Sequence, residues 1–401
     1  MLSFSALYGS SRIILKFMYA IEKWSRSQRK AIACDAVNAL ALRKGDDVIK
    51  SLYTMFEEYK AYAVKEAAHN VLTVEAEKKN MSFDELCDKL VPSLGFDMNG
   101  EKIFDYGNRK FTARIGLKNK IEIYDGNDKK LKNMPKVSQK DDIKKAEKAY
   151  EEFKNTQKRF KEVLKIQGER MEKFLCKGRK WTKDSWEIFF LGNPLMYDFA
   201  GSIVWGLYKD KKLIETFRYC GDGSFSTFTN KDFDLDTIYE ENMKIGIMHI
   251  LETDVEEIEG WKKYFDDYEI IQPIEQLYRR TFKFDEEDSK KNSFIVAHKE
   301  RINDAYYIVN KYALKRENFE DTVLCNKIPC IIYKYFEDSG YLSEVTFTVE
   351  EAEMKIYKYD KAYCKSELKE RKEPQGILMQ FKDVDKKIIS ETVYSIEKVL
   401  S

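Results

Sequence analysis

FFLGNPLMYDFAGSIVWGLY, residues 189–208, sets glycines, a proline and a tryptophan inside a mostly apolar run. A membrane helix needs about 18 or more apolar residues in a row. Asn193, Asp198 and Ser202 interrupt this run, and no such window occurs elsewhere in the chain. The stretch therefore reads as part of a folded core. Thr182 suits the cap of a short helix running to about Leu191. Asn193-Pro194 fits a second helix start, because proline is tolerated at the first helical position. Met196 to Ala200 continue that helix, and Ser202–Tyr208 turn β-rich, with Trp205 anchoring a sheet beside Gly206. Leu213–Arg218 answers that strand across Lys-Asp-Lys-Lys. The reading is helix, break, helix, strand.

Working downstream, short strands flank Gly221-Asp222-Gly223, where a plain hairpin turn is favoured over an anion-holding loop. Lys244–Ile250 reads as a strand and Val255–Phe265 as a helix bearing Trp261. Tyr268–Ile271 follows, closed by Gln272-Pro273. After the polar run at 285–293, residues 301–316 look helical. Residues 321–325, 328–336, 342–348, 353–359 and 376–382 look like strands, and 390–399 form a last amphipathic helix.

Upstream, Ile143, Ala146, Tyr150, Phe153, Phe160, Leu164, Met171 and Phe174 recur at helical spacing through residues 139–177. Such a helix is about 50–60 Å long. Its seam asks for a partner, either as an internal brace or as a dimerising coiled coil. Residues 93–136 alternate around Asp-Gly and Gly-Asn turns, the pattern of a hairpin or small meander. Residues 11–91 read as four or five helices. Ala33, Ala36, Val37 and Leu40 share a spacing that Val64, Ala67, Ala68 and Val71 repeat 31 residues later. That period suggests a short solenoid of the HEAT type. The chain begins inside a helix, so a truncated longer solenoid, or docking of residues 1–90 on the rest, is expected. Ser82-Phe-Asp-Glu85 is a capping box.

The predicted architecture is α+β. Helical repeats (1–92) precede a meander (93–136), a long bracing helix (137–180), a mainly antiparallel core (181–285) and a C-terminal α+β unit (286–401).

Of the 401 residues, 43% are hydrophobic and 35% charged, with 6 prolines, which suits packed domains with wet surfaces. The net charge of +1 singles out no polyanion partner. Its distribution is uneven: Lys140–Lys180 carries 14 basic and 8 acidic residues, and Asp232–Asp288 carries 18 acidic and 6 basic. Two readings stand, complementation within one molecule or a phosphate-binding helix over 140–180. Seven widely spaced cysteines, with CNKIPC at 325–330 the only close pair, fit reduced thiols in a cytoplasmic protein. Arg12 and Lys16 interrupt the apolar N-terminus, so it does not read as a signal peptide.

No Walker loop, GxGxxG, GxSxG or HExxH is present, and three scattered histidines make no metal site. His69 falls on the polar side of its helix, and His298 has no readable partner. His249 alternates with Ile245 and Ile247, which places it on an apolar strand face. A buried histidine held by a backbone carbonyl is the leading reading; a general base is the other. In EIIQPIEQLYRR (269–280), Gln272, Glu275, Gln276, Arg279 and Arg280 can fork to a carboxylate or phosphate, or tie irregular backbone together. VWG at 204–206 invites comparison with the tryptophan-glycine-arginine module, but Leu207 stands where that module has arginine.

Several motifs together resemble one family: LVPSLGFDMNGEKIFDYGNRKF (90–111), W-x4-W-x3-F from Trp181, NPLM, IVWGLY, FR-x3-DG from Phe217, W-x6-YEIIQPIEQLYR from Trp261 and the closing SETVYSIEKV. They are similar to the carboxyl-terminal half of MolR-like proteins, mainly bacterial chains carrying domain of unknown function 4132. Residues 30–400 carry the resemblance. Its motif residues here are Asn193, Pro194, Trp205, Gly206, Arg218, His249, Gln272, Pro273, Gln276 and Arg279. The chain departs from the pattern at Ile250, where the family tends to proline, and at Ile274, where it favours phenylalanine. The family's amino-terminal tryptophan-glycine-arginine module is not recognised in this sequence. The resemblance implies a regulatory setting linked to nucleic acid, stress or defence, and some members are labelled molybdate metabolism regulators. It carries over no catalytic residue.

The sequence thus points to a regulatory or interaction protein with a protein partner, no cofactor and no membrane span, and away from an enzyme. The alternative is an enzyme or small-ligand binder whose site gathers Arg218, His249, Gln272, Gln276 and Arg279.

Overall fold

The computed structural model describes residues 2–10, 12–27, 29–116, 119–298, 321–324, 330–336, 339–348, 350–359 and 376–400. Contacts divide the chain into two compact units, Met1–Val91 with Asp304–Cys330, and Pro92–Asn303 with Ile331–Ser401. The helix expected over 301–316 lies outside the described residues, as do Cys325 and Cys364. Cys34, Cys87, Cys176 and Cys220 are free thiols.

Residues 11–91 were expected to hold four or five helices and hold five, preceded by α1 (Leu2–Tyr8): α2 (Ile13–Ser25), α3 (Lys30–Ala41), α4 (Asp46–Glu58), α5 (Tyr62–Lys78) and α6 (Phe83–Leu90). Ala33, Ala36, Val37 and Leu40 of α3 meet Val64, Ala68 and Leu72 of α5 in one buried core. The recurring small residues let these two helices approach closely. The capping box forms as read: Ser82 Oγ accepts the Glu85 N–H at 3.2 Å, and Glu85 Oε2 accepts the Ser82 N–H at 2.7 Å. His69 corrects the surface expectation. Its ring lies 4.4 Å from that of Phe83 and 5.8 Å from that of Phe56.

The second unit opens with an antiparallel meander, β1 (Glu101–Asp105), β2 (Lys110–Gly116), β3 (Lys120–Tyr124) and β4 (Lys130–Leu131), in that order. Helix α7 (Ile143–Lys177) follows, 35 residues or about 53 Å long. Asp142 caps its start and Gly178, at φ 70°, ends it in the left-handed conformation that glycine adopts without strain. Phe153 meets Phe104 of β1 at 5.5 Å, and Phe174 meets Trp181 at 5.5 Å. One apolar stripe therefore braces two sheets of the same unit.

The sheet behind residues 189–208 runs β5–β9–β6–β7–β8, all antiparallel: β5 (Lys180–Trp181), β6 (Trp205–Lys209), β7 (Lys212–Tyr219), β8 (Phe225–Ser226) and β9 (Lys244–Ile247). Thr182 caps α8 (Lys183–Trp186), which widens into a π turn over Glu187–Leu191. A Cβ at Gly192 would lie 2.3 Å from the Ile188 carbonyl oxygen, so only glycine closes that turn. The structure then departs from the expected helix start. Asn193 Oδ1 accepts the Leu195 N–H at 3.0 Å and Asn193 O accepts the Met196 N–H at 2.9 Å. Asn193-Pro194 is thus a β-turn, and α9 (Tyr197–Ser202) starts after it. The asparagine side chain supplies a local acceptor that competes with helix initiation.

Trp205 lies at the centre of the core. Its ring is 4.6 Å from Phe190, 5.2 Å from Trp186 and 6.1 Å from Trp181, and its Nε1 donates to Ala200 O at 2.8 Å. Gly206 is packed tightly: a Cβ would sit 2.6 Å from Leu213 Cδ1. The β6–β7 hairpin turns on Asp210 and Lys211, at φ 50° and 68°. Both central residues of such a turn need positive φ, where Asn-Gly is the usual choice, and a side chain there costs about 1–2 kcal/mol.

Short helices α10 (Leu235–Ile238) and α12 (Glu286–Ser289) flank α11 (Val255–Asp267), which carries Trp261 into the core. The remaining strands are β10 (Phe294–His298), β11 (Asp321–Leu324, in the first unit), β12 (Cys330–Phe336), β13 (Tyr341–Phe347), β14 (Glu351–Lys358) and β15 (Ile377–Leu378). Strands β10, β14, β13 and β12 lie side by side in that order, and β15 pairs with β14. Leu342, Val345 and Phe347 of β13 and Ala352, Met354 and Ile356 of β14 are buried, and α13 (Lys386–Leu400) covers β13.

Replacing Trp205 with alanine empties the centre of the aromatic cluster. The expected loss is about 3–5 kcal/mol of unfolding free energy, read by chemical denaturation. A loss well under about 1 kcal/mol overturns this account of the core.

Candidate functional site

Glu269 turns the chain out of α11 at φ 52°, and the segment that follows answers where the EIIQPIEQLYRR side chains go. Gln276 points at backbone. Its Oε1 accepts the Val204 N–H at 2.9 Å, and its Nε2 donates to Val204 O at 2.7 Å and Met248 O at 2.8 Å. Val204 precedes β6 and Met248 follows β9, so one amide satisfies backbone groups just where the two strands part. Gln272 supports it, donating to Gln276 Oε1 at 2.7 Å and accepting the Leu277 N–H at 3.0 Å. The Pro273 carbonyl faces α7 at Gly168. Of the two readings for this segment, Gln276, supported by Gln272, follows backbone tying, whereas Arg279 forks onto a carboxylate of the chain itself.

Arg279 turns inward, its side chain fully buried. It forks onto Glu391 of α13, Nε to Oε1 at 2.6 Å and Nη2 to Oε2 at 2.5 Å. Its Nη1 reaches Glu172 of α7 at 2.7 Å, and its Nη2 donates to Cys176 Sγ at 3.0 Å. The guanidinium also lies 3.9 Å from the Tyr394 ring centroid.

His249 is 2% exposed and contacts the same carboxylate, Nε2 to Glu391 Oε1 at 2.9 Å. Its Nδ1 accepts the Leu251 N–H at 3.1 Å, so the ring proton sits on Nε2 and is donated to Glu391. The expected backbone-carbonyl partner is thus replaced by a carboxylate, because β9 ends at Ile247 and the histidine lies just past the strand. Burial acts to raise the Glu391 carboxyl. The hydrogen bonds from His249 and Arg279 and the Arg279 charge overcome it and hold Glu391 well below its usual range. Burial pushes the Cys176 thiol up to about 12, outweighing Lys334 and Arg279. A thiol held protonated is a poor nucleophile.

A second, half-buried carboxylate lies nearby. Glu252 accepts Lys387 Nζ at 2.5 Å, Tyr208 Oη at 2.7 Å and the His249 backbone N–H at 3.0 Å. Burial would raise it, but Lys387 and these donors keep it below its usual range. His249, Cys176, Glu252 and Lys387 border a cleft of about 470 Å³.

Four of the five residues expected to gather form one contiguous polar set: His249 and Arg279 meet through Glu391, and Gln272 and Gln276 lie beside them at the Met248 carbonyl. Arg218 is engaged elsewhere, Nε to Gly201 O at 2.5 Å and Nη1 to Tyr264 Oη at 3.3 Å. His298 is exposed on β10. Sequence reasoning missed Glu391, Glu172, Glu252 and Lys387. Glu391 did leave a signal, since it stands on the apolar face of α13 among Ile388, Val393 and Tyr394. Among the described residues no group of His, Cys, Asp or Glu could hold a metal ion. No described helix is long and apolar enough to cross a membrane.

Residues 129–309 match the family model described as Domain of unknown function (DUF4132). That segment holds α7, the β5–β9 sheet, His249 and Gln272–Arg279, and stops short of Glu391. Over 291 residues the chain is 29% identical to an Escherichia coli (strain K12) protein described as "Uncharacterized protein YehI". The alignment covers 72% of this chain and 24% of that protein, so the chain spans about a quarter of its relative's length. No solved structure matches.

Removing one partner of the buried pair leaves the other charge uncompensated. Glu391→Gln is expected to lower stability at pH 7 by about 3–5 kcal/mol in chemical denaturation. The double change Arg279→Met with Glu391→Leu should recover part of that loss, the remainder reflecting the His249 ring N–H left without its acceptor. Because the folded pKa is depressed, the Glu391 contribution is complete above its unfolded value of about 4.3 and is lost as pH falls through the folded value. The gap between wild type and Glu391→Gln should therefore narrow below about pH 4. Equal stability of the two proteins at pH 7 overturns the compensation argument.

Proposed function

We propose that the chain is a regulatory or interaction protein of the MolR-like family, acting in a setting linked to nucleic acid, stress or defence. In this reading the first unit is a HEAT-like helical repeat that presents a surface to a protein partner. The observation that carries it is a set of exposed large apolar side chains on α1 and α2. Phe4, Tyr8, Leu15 and Tyr19 are 68%, 74%, 69% and 71% exposed, with Leu7 beside them at 47%. Isolated exposed apolar residues are ordinary, but a set of large ones on two consecutive helices has the character of an interaction surface.

The second unit supports the same reading from the other direction. Both ring nitrogens of His249 are engaged, one by Glu391 and one by backbone, and the neighbouring Cys176 is held as a thiol. A general base needs a free lone pair aimed at a substrate proton. These side chains are instead directed into one another.

The test is capture at native expression of the wild type and of the double variant Leu15→Asp, Tyr19→Asp. Both positions are exposed, so folding should change by no more than about 0.5 kcal/mol. The expected result is a reproducible set of proteins captured by the wild type and lost from the variant, with unchanged circular dichroism. The same set retained by the variant, or none captured by the wild type, overturns the reading. Direct contact of α7 with nucleic acid is its narrower form. Affinity for a DNA duplex should then fall steeply with salt, and a flat response removes that form. Pairing of Lys154 with Glu151, Lys158 with Glu162 and Lys165 with Glu169 argues for a weak effect.

A further inference from the structure

The cleft beside His249 is bordered by five lysines, each from a different element: Lys177 at the end of α7, Lys180 of β5, Lys211 in the β6–β7 turn, Lys244 of β9 and Lys387 of α13. Among the described residues, two carboxylates, Glu252 and Asp385, border it with them. Glu252 is taken up by Lys387, Tyr208 and the His249 N–H. Asp385 is exposed and accepts the Lys387 N–H at 2.9 Å, at the start of α13. Lys211 and Lys244 are exposed and have no carboxylate within ion-pair range among the described residues. Lys211 and Lys244 therefore bring to the cleft positive charge that no carboxylate among the described residues neutralises.

One local feature marks the same place. Lys211 occupies a positive-φ position of a tight turn that glycine would fill without strain. A backbone conformation held against local preference beside a cavity is a mark of a functional site. Leu175, Ile247, Phe336 and Ile388 give the same cavity an apolar wall. At about 470 Å³ it lies within the usual range for small-molecule pockets.

The geometry points to a binding site for a small phosphorylated organic molecule, its phosphate groups on the Lys211–Lys244 side and its body against the apolar wall. Lysine suits this as a compact charge with rotatable donors, able to follow a phosphate rather than fix one plane. The site lies wholly in the second unit and does not rest on the partner surface of α1 and α2, so either can fail alone.

Isothermal titration of the full chain with ADP, inorganic pyrophosphate and adenosine tests it. ADP and pyrophosphate should bind with an affinity that falls as salt rises, and adenosine should bind weakly or not at all. The variant Lys211→Gln, Lys244→Gln should fold normally by circular dichroism and weaken ADP binding by about ten-fold or more, the scale of losing charge-assisted contacts. Lys290→Gln, an exposed lysine outside the cleft, should bind as the wild type does. No binding by any of the three compounds overturns the site. Adenosine binding as tightly as ADP, or a double variant equal to wild type, overturns the phosphate class.

Discussion

A carboxylate removed from water must be compensated where it lies, and much of the second unit is arranged around that demand at Glu391. Its side chain is fully buried and receives the Arg279 fork and the His249 ring proton. Those donors come from the Gln272–Arg279 segment and from the end of β9, while Arg279 also reaches Glu172 on α7. One charge thus fixes four pieces of chain that are far apart in sequence: α7, the β9 exit, the irregular segment after α11, and α13. A hydrophobic contact would tolerate sliding between these pieces, whereas a bidentate guanidinium–carboxylate pair tolerates little. Such a pair contributes registry more than net stability, because desolvation cancels much of the attraction.

The Gln276 clamp makes sense beside that pair. Val204 and Met248 stand at the end of the β6–β9 pairing, where Met248 N–H still donates to Val204 O at 3.1 Å, but the Val204 N–H and the Met248 carbonyl would otherwise lie buried without partners. The glutamine amide presents a donor and an acceptor much as a strand does, so it extends the ladder by one step. Three residues on, Arg279 meets Glu391. Positioning the clamp therefore positions the arginine, and the aromatic cluster around Trp205 holds the sheet to which the clamp attaches.

What was legible in the sequence was whatever depended on near neighbours. The 3.6-residue stripe gave α7, alternation and turn residues gave the meander, and Ser82 with Glu85 gave a helix start, each resting on contacts within a few residues. The Asn193 turn was misread because two local signals compete there, proline favouring a helix start and the asparagine side chain favouring a turn. His69 was misplaced because its aromatic neighbours come from α4 and α6, outside its own helix. Glu391 could not be paired at all, since its partners lie 112 and 142 residues away. One sequence carries no pairing information at such range. The QP-x-x-Q-x-x-R stretch drew attention for the right residues, although their hydrogen bonds turn inward.

The lysine cleft shows why compensated and uncompensated charge need separate treatment. Arg279, His249 and Glu391 are all polar, buried and adjacent, the features that first suggest a site, yet their hydrogen bonds are made to one another and to other groups of the chain. Lys211 and Lys244 are unremarkable in sequence, one in a turn and one at a strand start. They matter because the fold brings them to one cavity and leaves their charge unanswered by the nearby carboxylates. Structural polar networks tend toward internal neutrality, because any residual charge in a low-dielectric interior is costly. A binding site is under the opposite constraint, since it must hold in reserve the charge that its ligand will meet. By that criterion the buried triad belongs to the scaffold, and the chemistry of recognition belongs to the rim beside it.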